Sequence, residues 1–224
     1  RSDPATMYAK KVIDDFKQNG ELGDLTYVRI IMPAGDWIAA GFDGLVQEKD
    51  PAAELATDPP DPDLDEKGRE SYISFVNYYI HQVNLLRHLL GENYRPVCAD
   101  KAGLLMIGES VSGKTCALEM SPYSTQIDWQ EEALVCFERG WIKISLPAPL
   151  ASNRPGKVEI YKDPKSSDIP ELLSPTLPWI HAMKQQAVNF IAAVKGEQPP
   201  MTDAAEALDD LRVARQYLDL VSHH

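Results

Sequence analysis

The residues best suited to chemistry lie in SYISFVNYYIHQVNLLRHLL, whose apolar spacing predicts a helix over Ser71–Leu90. Asn77, His81, Asn84 and His88 follow one another at i, i+4, i+7 and i+11, so they share one helix face. An unperturbed histidine titrates close to neutral pH, which suits His81 to general acid–base work, and Asn77 could orient it or bind a substrate hydroxyl. The same spacing is also that of an ordinary solvated helix face.

Two other kinds of site are not favoured. No third or fourth ligand falls at a recognisable spacing from these histidines, so we predict no metal site. A G-x-x-x-x-G-K-[ST] match does occur in GESVSGKT, residues 108–115. A phosphate-binding loop leads into a helix, but only CALEMS separates Thr115 from Pro122. Ser112-Gly113 suits a tight turn, so we predict a β-hairpin here instead of a nucleotide hydrolase.

Composition restricts the possible partners. The net charge of −12 argues against nucleic acid and anionic membranes, because both require clustered Lys and Arg. No apolar run approaches the ~18 residues that a transmembrane helix needs. The cysteines Cys98, Cys116 and Cys136 show no C-x-x-C spacing and indicate buried free thiols in a reducing compartment. We therefore expect a cytoplasmic protein, although a targeting signal could precede Arg1.

The first half of the chain predicts two helices, a strand and a long loop. Asp3-Pro4 and Asn19-Gly20 are typical of the two ends of a helix. A β-branched run from about Leu25 to Met32 predicts a strand that ends at Pro33. Residues 33–70 are rich in Pro, Asp and Gly, and they predict a long loop before the helix that carries His81.

The second half changes from strands to helices. Short β runs separated by turn signals fill the region from Arg95 to Lys162. Two helices follow, and the first carries an apolar stripe that consists of Ile180, Met183, Ala187, Phe190, Ile191 and Val194. Trp179 and His181 precede that helix; they could border a cleft, but core packing is the simpler interpretation. The order of elements predicts a single α+β domain, an open, mainly antiparallel sheet with helices packed on one face.

Three stretches, in the same order, resemble the glucose-fructose oxidoreductase/inositol dehydrogenase (Gfo/Idh/MocA) family. The family's junction after the nucleotide domain, with its G-x-[LI]-G, resembles RSDPATMYAKKVIDDFKQNGELGDLTYVRI. Its D-x-x-x-H-x-x-D helix resembles SYISFVNYYIHQVNLLRHLLGE. Its ending, F-x-x-A-I-x-x-G-x-x-P followed by a helix, resembles AVNFIAAVKGEQPPMTDAAEALDDLRVARQYLDL. Together these stretches cover nearly the whole chain.

The resemblance implies that residues 1–224 form a single C-terminal substrate-binding and oligomerisation domain. In the family a preceding dinucleotide-binding domain supplies a glycine-rich turn and a catalytic lysine, and it binds most of the NAD or NADP. This chain contains neither a G-x-G-x-x-G after a strand nor a Glu-Lys-Pro, so we predict no coenzyme-binding residue in it. The resemblance therefore implies half of an oxidoreductase for sugar-like or polyol-like substrates, inactive alone and paired as a homodimer or larger oligomer through the free sheet face.

The resemblance also assigns roles to single residues. His81 matches the catalytic histidine that accepts the alcohol proton while hydride passes to the nicotinamide. Asn77 stands where the family usually has Asp, and Asn84 where it often has a second Asp; both departures remove a carboxylate and lower the basicity expected of His81. Asp36 and Trp37 occupy a loop in which the family often places substrate contacts, although a half-packed loop tryptophan is an equally good interpretation of Trp37.

The missing carboxylates leave a second interpretation open. The chain could be a non-catalytic binding or oligomerisation module that keeps the fold with a degenerate active site. Loss of activity on replacing His81, measured in the full-length protein, would distinguish the enzyme from the module.

Overall fold

The computed structural model describes residues 1–41, 56, 59, 62–166 and 169–222. Most of the segment between β1 and α2, which the sequence predicts as a loop, lies outside these residues. The described part contains four helices and eight strands, in the order α1 (Pro4–Asn19), β1 (Leu25–Ala34), α2 (Glu66–Leu90), β2 (Tyr94–Ala99), β3 (Leu105–Ser110), β4 (Thr115–Ser124), β5 (Glu131–Phe137), β6 (Gly140–Leu146), β7 (Lys157–Lys162), β8 (Glu171–Leu173), α3 (Ala182–Val194) and α4 (Ala204–Ser222).

The strands form one open sheet in the order β2-β3-β4-β1-β5-β6-β7-β8. Every neighbouring pair is antiparallel except β1 and β4, which run parallel with Val28 opposite Cys116. A parallel pair requires a long connection, and here the chain passes through α2 and a β-hairpin between β1 and β4. The predicted α+β class and the mainly antiparallel sheet are confirmed.

The core lies between one face of the sheet and the helices. On β1, Val28 and Ile30 face the helices and are buried, whereas Arg29 and Ile31 lie on the other face and are half-buried. Strand side chains alternate between faces, so this pattern separates a helix side from a free side. The buried helix residues that fill the core include Ile13 and Phe16 of α1, Leu86 and Leu89 of α2, and Val213 and Tyr217 of α4.

The free side of the sheet carries polar and apolar groups together. Arg29 pairs with Glu119 at 3.5 Å, and the rings of Trp141 and Tyr161 stack with centroids 5.9 Å apart. Leu134 on β5 is half-buried, and it stands opposite Arg29 of β1 and Lys143 of β6. This face is therefore less apolar than a sheet face that is buried inside one chain.

The helix ends follow local chemistry. The Asp3 side chain accepts a hydrogen bond from the Ala5 N–H, and α1 ends where Gly20 adopts a φ of 67°, as predicted. Helix α2 begins at Glu66, five residues before the predicted start. Asp65 caps it by accepting from the Gly68 N–H at 2.7 Å, a polar signal that apolar periodicity does not detect.

The GESVSGKT match is a hairpin, as predicted. Strands β3 and β4 pair antiparallel, with Glu109 opposite Thr115. The Ser110 N–H donates to the Lys114 carbonyl at 2.8 Å, and Gly113 has a φ of 81°. A phosphate-binding loop would place its orphan N–H groups at the start of a helix, but here a strand follows.

The expectation that Trp179 packs in the core is wrong. Trp179 is 82% exposed, and the apolar stripe of α3 points outward, with Phe190 at 68% and Val194 at 72% exposure. Asn189 is the buried residue of α3. Periodicity shows that a helix has an apolar face, but it does not show which way that face points. Cys98 is also exposed, whereas burial raises the pKa of Cys116 to about 12.

Within the described residues no helix has the length and apolar content needed to cross a lipid bilayer.

Candidate active site

Helix α2 packs one face against the sheet and α4 and turns its polar stripe away from the core. Phe75 stacks on Tyr217 of α4 at 4.6 Å between centroids, and the Tyr79 hydroxyl lies 2.8 Å from Ser121 Oγ. Near the other end of α2, Val83 is buried, and its carbonyl accepts from the Tyr94 hydroxyl at 3.1 Å. These contacts fix the rotation of the helix and therefore the direction in which His81 points.

His81 and Asn77 are both exposed, one turn apart on the outer face of α2. Partial desolvation of the ring lowers the pKa of His81. The carboxylate of Asp210 opposes this shift. A lowered pKa favours the neutral imidazole at physiological pH, which is the form that accepts a proton.

Asn84 has a structural partner. Its Nδ2 donates to Asp210 Oδ2 at 2.7 Å, and Asp210 also forms a buried ion pair with Arg87. The side chains of Arg87 and Asp210 are each 5% exposed, so the pair is almost fully desolvated. The amide of Asn84 therefore satisfies a buried carboxylate of α4, while its role as a substrate contact stays a prediction.

Asp210 is a residue that sequence reasoning missed. In α4 it shares its face with Val213, Ala214 and Tyr217, all of which are buried. An aspartate in phase with three core residues is the signal that could have identified it, because a buried carboxylate must be paired. Its presence places a negative charge near α2, although Arg87 largely neutralises that charge.

Arg1 lies over the second half of the polar stripe of α2. Its guanidinium donates to the Met201 carbonyl at 2.6 Å and to Glu206 Oε2 at 2.8 Å, which ties it to the start of α4. His88 lies beneath it; burial, with the positive charge of Arg1 as a second cause, lowers the pKa of His88 to about 3. Within the described residues His88 Nε2 is buried and has no hydrogen-bond partner. His88 is thus a neutral packing residue, unlike His81.

Glu131, at the start of β5, is a second residue that the sequence did not reveal. It is 7% exposed, and it accepts hydrogen bonds from Gln82 Nε2 at 2.9 Å and from Trp129 Nε1 at 3.1 Å. Burial raises the pKa of Glu131, and these two hydrogen bonds oppose the rise. Because Gln82 follows His81 directly, Glu131 anchors the part of α2 that carries the candidate base.

A cavity of about 700 Å³ lies at this end of the sheet, on its free side. Glu131 and Trp129 line it together with Tyr123, Arg154 and Lys157. Aromatic rings beside mixed charges are suited to binding polyhydroxylated compounds. His81 lines neither this cavity nor a second one of about 430 Å³ beside Phe75 and Tyr217.

Asp36 and Trp37 lie after β1, on top of the loop that leads to Trp129. Asp36 caps its own turn, because its side chain accepts from the Ile38 N–H at 3.1 Å and the Ala40 N–H at 2.6 Å. The preceding Gly35 allows close contact between the loops, since a Cβ there would lie 2.4 Å from the Asp128 carbonyl oxygen. Trp37 is 49% exposed. The loop after β1 thus contacts Asp128, which lines the cavity, whereas Asp36 and Trp37 themselves do not line it.

His181 is half-buried at the start of α3, where its Nδ1 accepts from the Asn153 N–H at 3.2 Å. No group of three or more His, Cys, Asp or Glu side chains in the described part of the chain is arranged to hold a metal ion. The chemistry available on the exposed part of α2 is therefore that of the His81 imidazole.

Comparison with known proteins gives structural relatives but no sequence family. No protein-family model matches the chain, and no curated protein matches it significantly. Solved structures do match. An oxidoreductase domain protein from Kribbella flavida has a TM-score of 0.62 at 15% identity over 100% of this chain and 62% of that one.

Two further similar structures were solved with coenzymes. GenD2 from gentamicin A biosynthesis, in complex with NAD, has a TM-score of 0.57 at 17% identity over 98% of this chain and 59% of that one. KijD10, a 3-ketoreductase from Actinomadura kijaniata in complex with NADP, has a TM-score of 0.52 at 13% identity over 99% of this chain and 59% of that one.

These likenesses show that the chain has the fold of a domain found in oxidoreductases. The chain spans about three fifths of the length of the solved structures that it matches. At this level of identity the similarity establishes the fold alone, and function has to be argued from the site.

Proposed function

We propose that this chain is the C-terminal substrate-binding domain of an NAD(P)-dependent oxidoreductase of the Gfo/Idh/MocA type, acting on a hydroxyl or carbonyl group of a sugar-like or polyol-like compound. The fold and its NAD- and NADP-bound relatives support this class. The observation that carries the proposal is the position of His81, which is exposed on the outer face of α2 one turn from Asn77.

In this proposal His81 moves the proton. Its neutral ring accepts the hydroxyl proton of the substrate during oxidation, and the lowered pKa keeps the ring unprotonated at neutral pH. Asn77, one turn before it, orients the substrate or the ring by hydrogen bonding. The nicotinamide supplies the hydride-transfer chemistry when it is bound. Because Asn77 and Asn84 replace carboxylates, the imidazolium that forms is stabilised less than it would be beside an aspartate.

Substrate binding is assigned to the loop after β1 and to the polar face of α2. Asp36 and Trp37 are the proposed contacts from the loop after β1, and the Asn84 Oδ1 is the acceptor left on that residue once Nδ2 has bound Asp210. Trp37 and Trp129 offer ring faces on which a sugar can stack. The two carboxylate oxygens of Asp36 already accept backbone hydrogen bonds. A substrate hydroxyl would therefore donate to the lone pairs that remain free on these oxygens.

We also propose that the free face of the sheet pairs with a second copy of the chain. The half-buried Leu134 and the stacked Trp141 and Tyr161 support this, because a sheet face with large apolar groups is normally covered.

The test uses the full-length protein in NAD(P)H oxidation and NAD(P)⁺ reduction assays with a panel of sugars and polyols. We expect His81→Ala to lower kcat/KM by about 10²- to 10⁴-fold, as loss of a general base does. Lys67→Ala, an exposed change in the first turn of the same helix, is the control and should behave as wild type. Equal activity of the wild type and His81→Ala would remove His81 from the mechanism.

A second candidate function is a non-catalytic binding or oligomerisation module. It is favoured by the absence of His81 from the linings of both cavities and by the two asparagines that replace carboxylates. A full-length protein that binds neither NAD nor NADP, measured by calorimetry, would support this candidate over the enzyme.

A further inference from the structure

Helix α3 is an amphipathic helix mounted with its apolar side outward. Its exposed stripe, at i, i+4, i+7, i+8 and i+11, consists of Met183, Ala187, Phe190, Ile191 and Val194. Four of these side chains are large, and their exposures are 41% for Met183, 68% for Phe190, 53% for Ile191 and 72% for Val194. Adjoining apolar residues in such a row mark a surface that another protein body covers.

The inner side of α3 is polar and is already satisfied. Asn189 is 5% exposed; its Oδ1 accepts from Gln185 Nε2 at 2.9 Å, and its Nδ2 contacts Ser2 Oγ at 3.4 Å and Met7 Sδ at 3.7 Å. A rotation of α3 that buried Phe190 would reduce the exposure of the apolar stripe, but it would break the buried contacts of Asn189. The outward direction of the stripe is therefore fixed by the fold.

The same contacts show what lies next to the stripe. Ser2 and Met7 belong to the first turns of the chain, so α3 rests directly on the place where any preceding segment enters. The similar solved structures extend beyond the matched region by about two fifths of their length. A domain joined at Arg1 is held at high effective concentration beside α3, an advantage that a separate molecule does not have.

We infer that the outward stripe of α3 is the surface on which the coenzyme-binding domain of the longer enzyme docks. This inference rests on the proposed function, because the coenzyme-binding domain that would cover the stripe is part of that proposal. The partner surface is apolar and uncharged, since the stripe carries no ionisable side chain, and Lys184 and Lys195 at its borders favour acidic groups at the rim. Docking there would bring that domain to the side of the chain on which Arg1 meets α2 and His81.

Thiol labelling of the full-length protein tests this inference. Phe190→Cys and Val111→Cys are introduced separately into a Cys98→Ser, Cys136→Ser background, and maleimide reaction rates are divided by the rates in denaturant. Within the described residues Phe190 and Val111 are both highly exposed, at 68% and 80%, and Val111 lies in the β3–β4 hairpin. We expect the thiol of Phe190→Cys to react at least tenfold more slowly than that of Val111→Cys at every protein concentration.

Three outcomes would overturn the inference. Equal rates in a protein that binds NAD(P)H would show that the stripe is uncovered, while the proposed function stands. Protection that disappears on dilution would identify a second copy of the chain as the occupant. Protection at all concentrations in a protein that binds no coenzyme would show that a different domain covers α3, and the proposed function would fail with it.

Discussion

The polar stripe of α2, which consists of Asn77, His81, Asn84 and His88, has one exposed half and one covered half. Asn84 and His88 are covered by α4 and Arg1. Asn84 donates a hydrogen bond to the buried ion pair of Asp210 and Arg87, and His88 is itself a packed, neutral ring. Asn77 and His81, with the same spacing on the same helix, are exposed. The difference arises from the neighbours and not from the helix itself. It teaches that a polar helix face is structural where another element covers it and available for chemistry where none does.

The largest effect that would test this division is on the covered half. Asp210→Ala would leave the Arg87 guanidinium buried without its counter-ion, so we expect the free energy of unfolding to fall by about 3–5 kcal/mol. Urea denaturation of the purified protein measures it. Asp209→Ala is the matched control, because this neighbour is paired near the surface with Arg212 at 2.8 Å and its replacement should change the free energy of unfolding little. Similar losses for the two variants would contradict the account.

The next effect concerns His88 and pH. The folded protein holds the pKa of His88 at about 3, below the ordinary 6.5, so the unfolded chain binds more protons between those values. The contribution of His88 to stability is therefore complete above pH 6.5 and falls with decreasing pH, by up to about 1.4 kcal/mol per pH unit. Relative to wild type, His88→Asn should gain stability as the pH falls from 7 to 4. Parallel stability curves would show that His88 titrates normally.

A smaller effect compares two asparagines of the same stripe. Asn84→Ala removes a hydrogen bond to a buried carboxylate and should cost about 1–2 kcal/mol. Asn77→Ala, on the exposed half, should change the free energy of unfolding by less than about 0.5 kcal/mol. Thermal denaturation of both variants provides the measurement, and a cost for Asn77 as large as that for Asn84 would remove the distinction between the two halves.

The sequence predicted the elements well wherever the signal is local. The ends of α1 follow from Asp3, Pro4 and Gly20, and the hairpin follows from Ser112-Gly113, because caps and turns depend on a few adjacent residues. The fold class followed from the order of the elements. The parallel pairing of β1 with β4 could not be predicted in this way, since strand order depends on contacts between distant parts of the chain.

The candidate site was predictable only in part. His81 and Asn77 stand out by residue type and spacing. Glu131 gave no comparable signal, because its partner Gln82 is 49 residues away. Asp210 was readable in principle from its phase with Val213 and Tyr217. The direction of the α3 stripe could not be read from periodicity, which is the same for a helix that faces the core and one that faces away from it.

One measurement tests the central claim, that the exposed half of the α2 stripe performs the chemistry. For His81→Gln in the full-length protein, the free energy of unfolding and the coenzyme-dependent turnover are measured on the same samples. We predict a stability within about 0.5 kcal/mol of wild type, because His81 is exposed, together with a loss of turnover of at least about 100-fold. Unchanged turnover in a stable His81→Gln protein would contradict the claim.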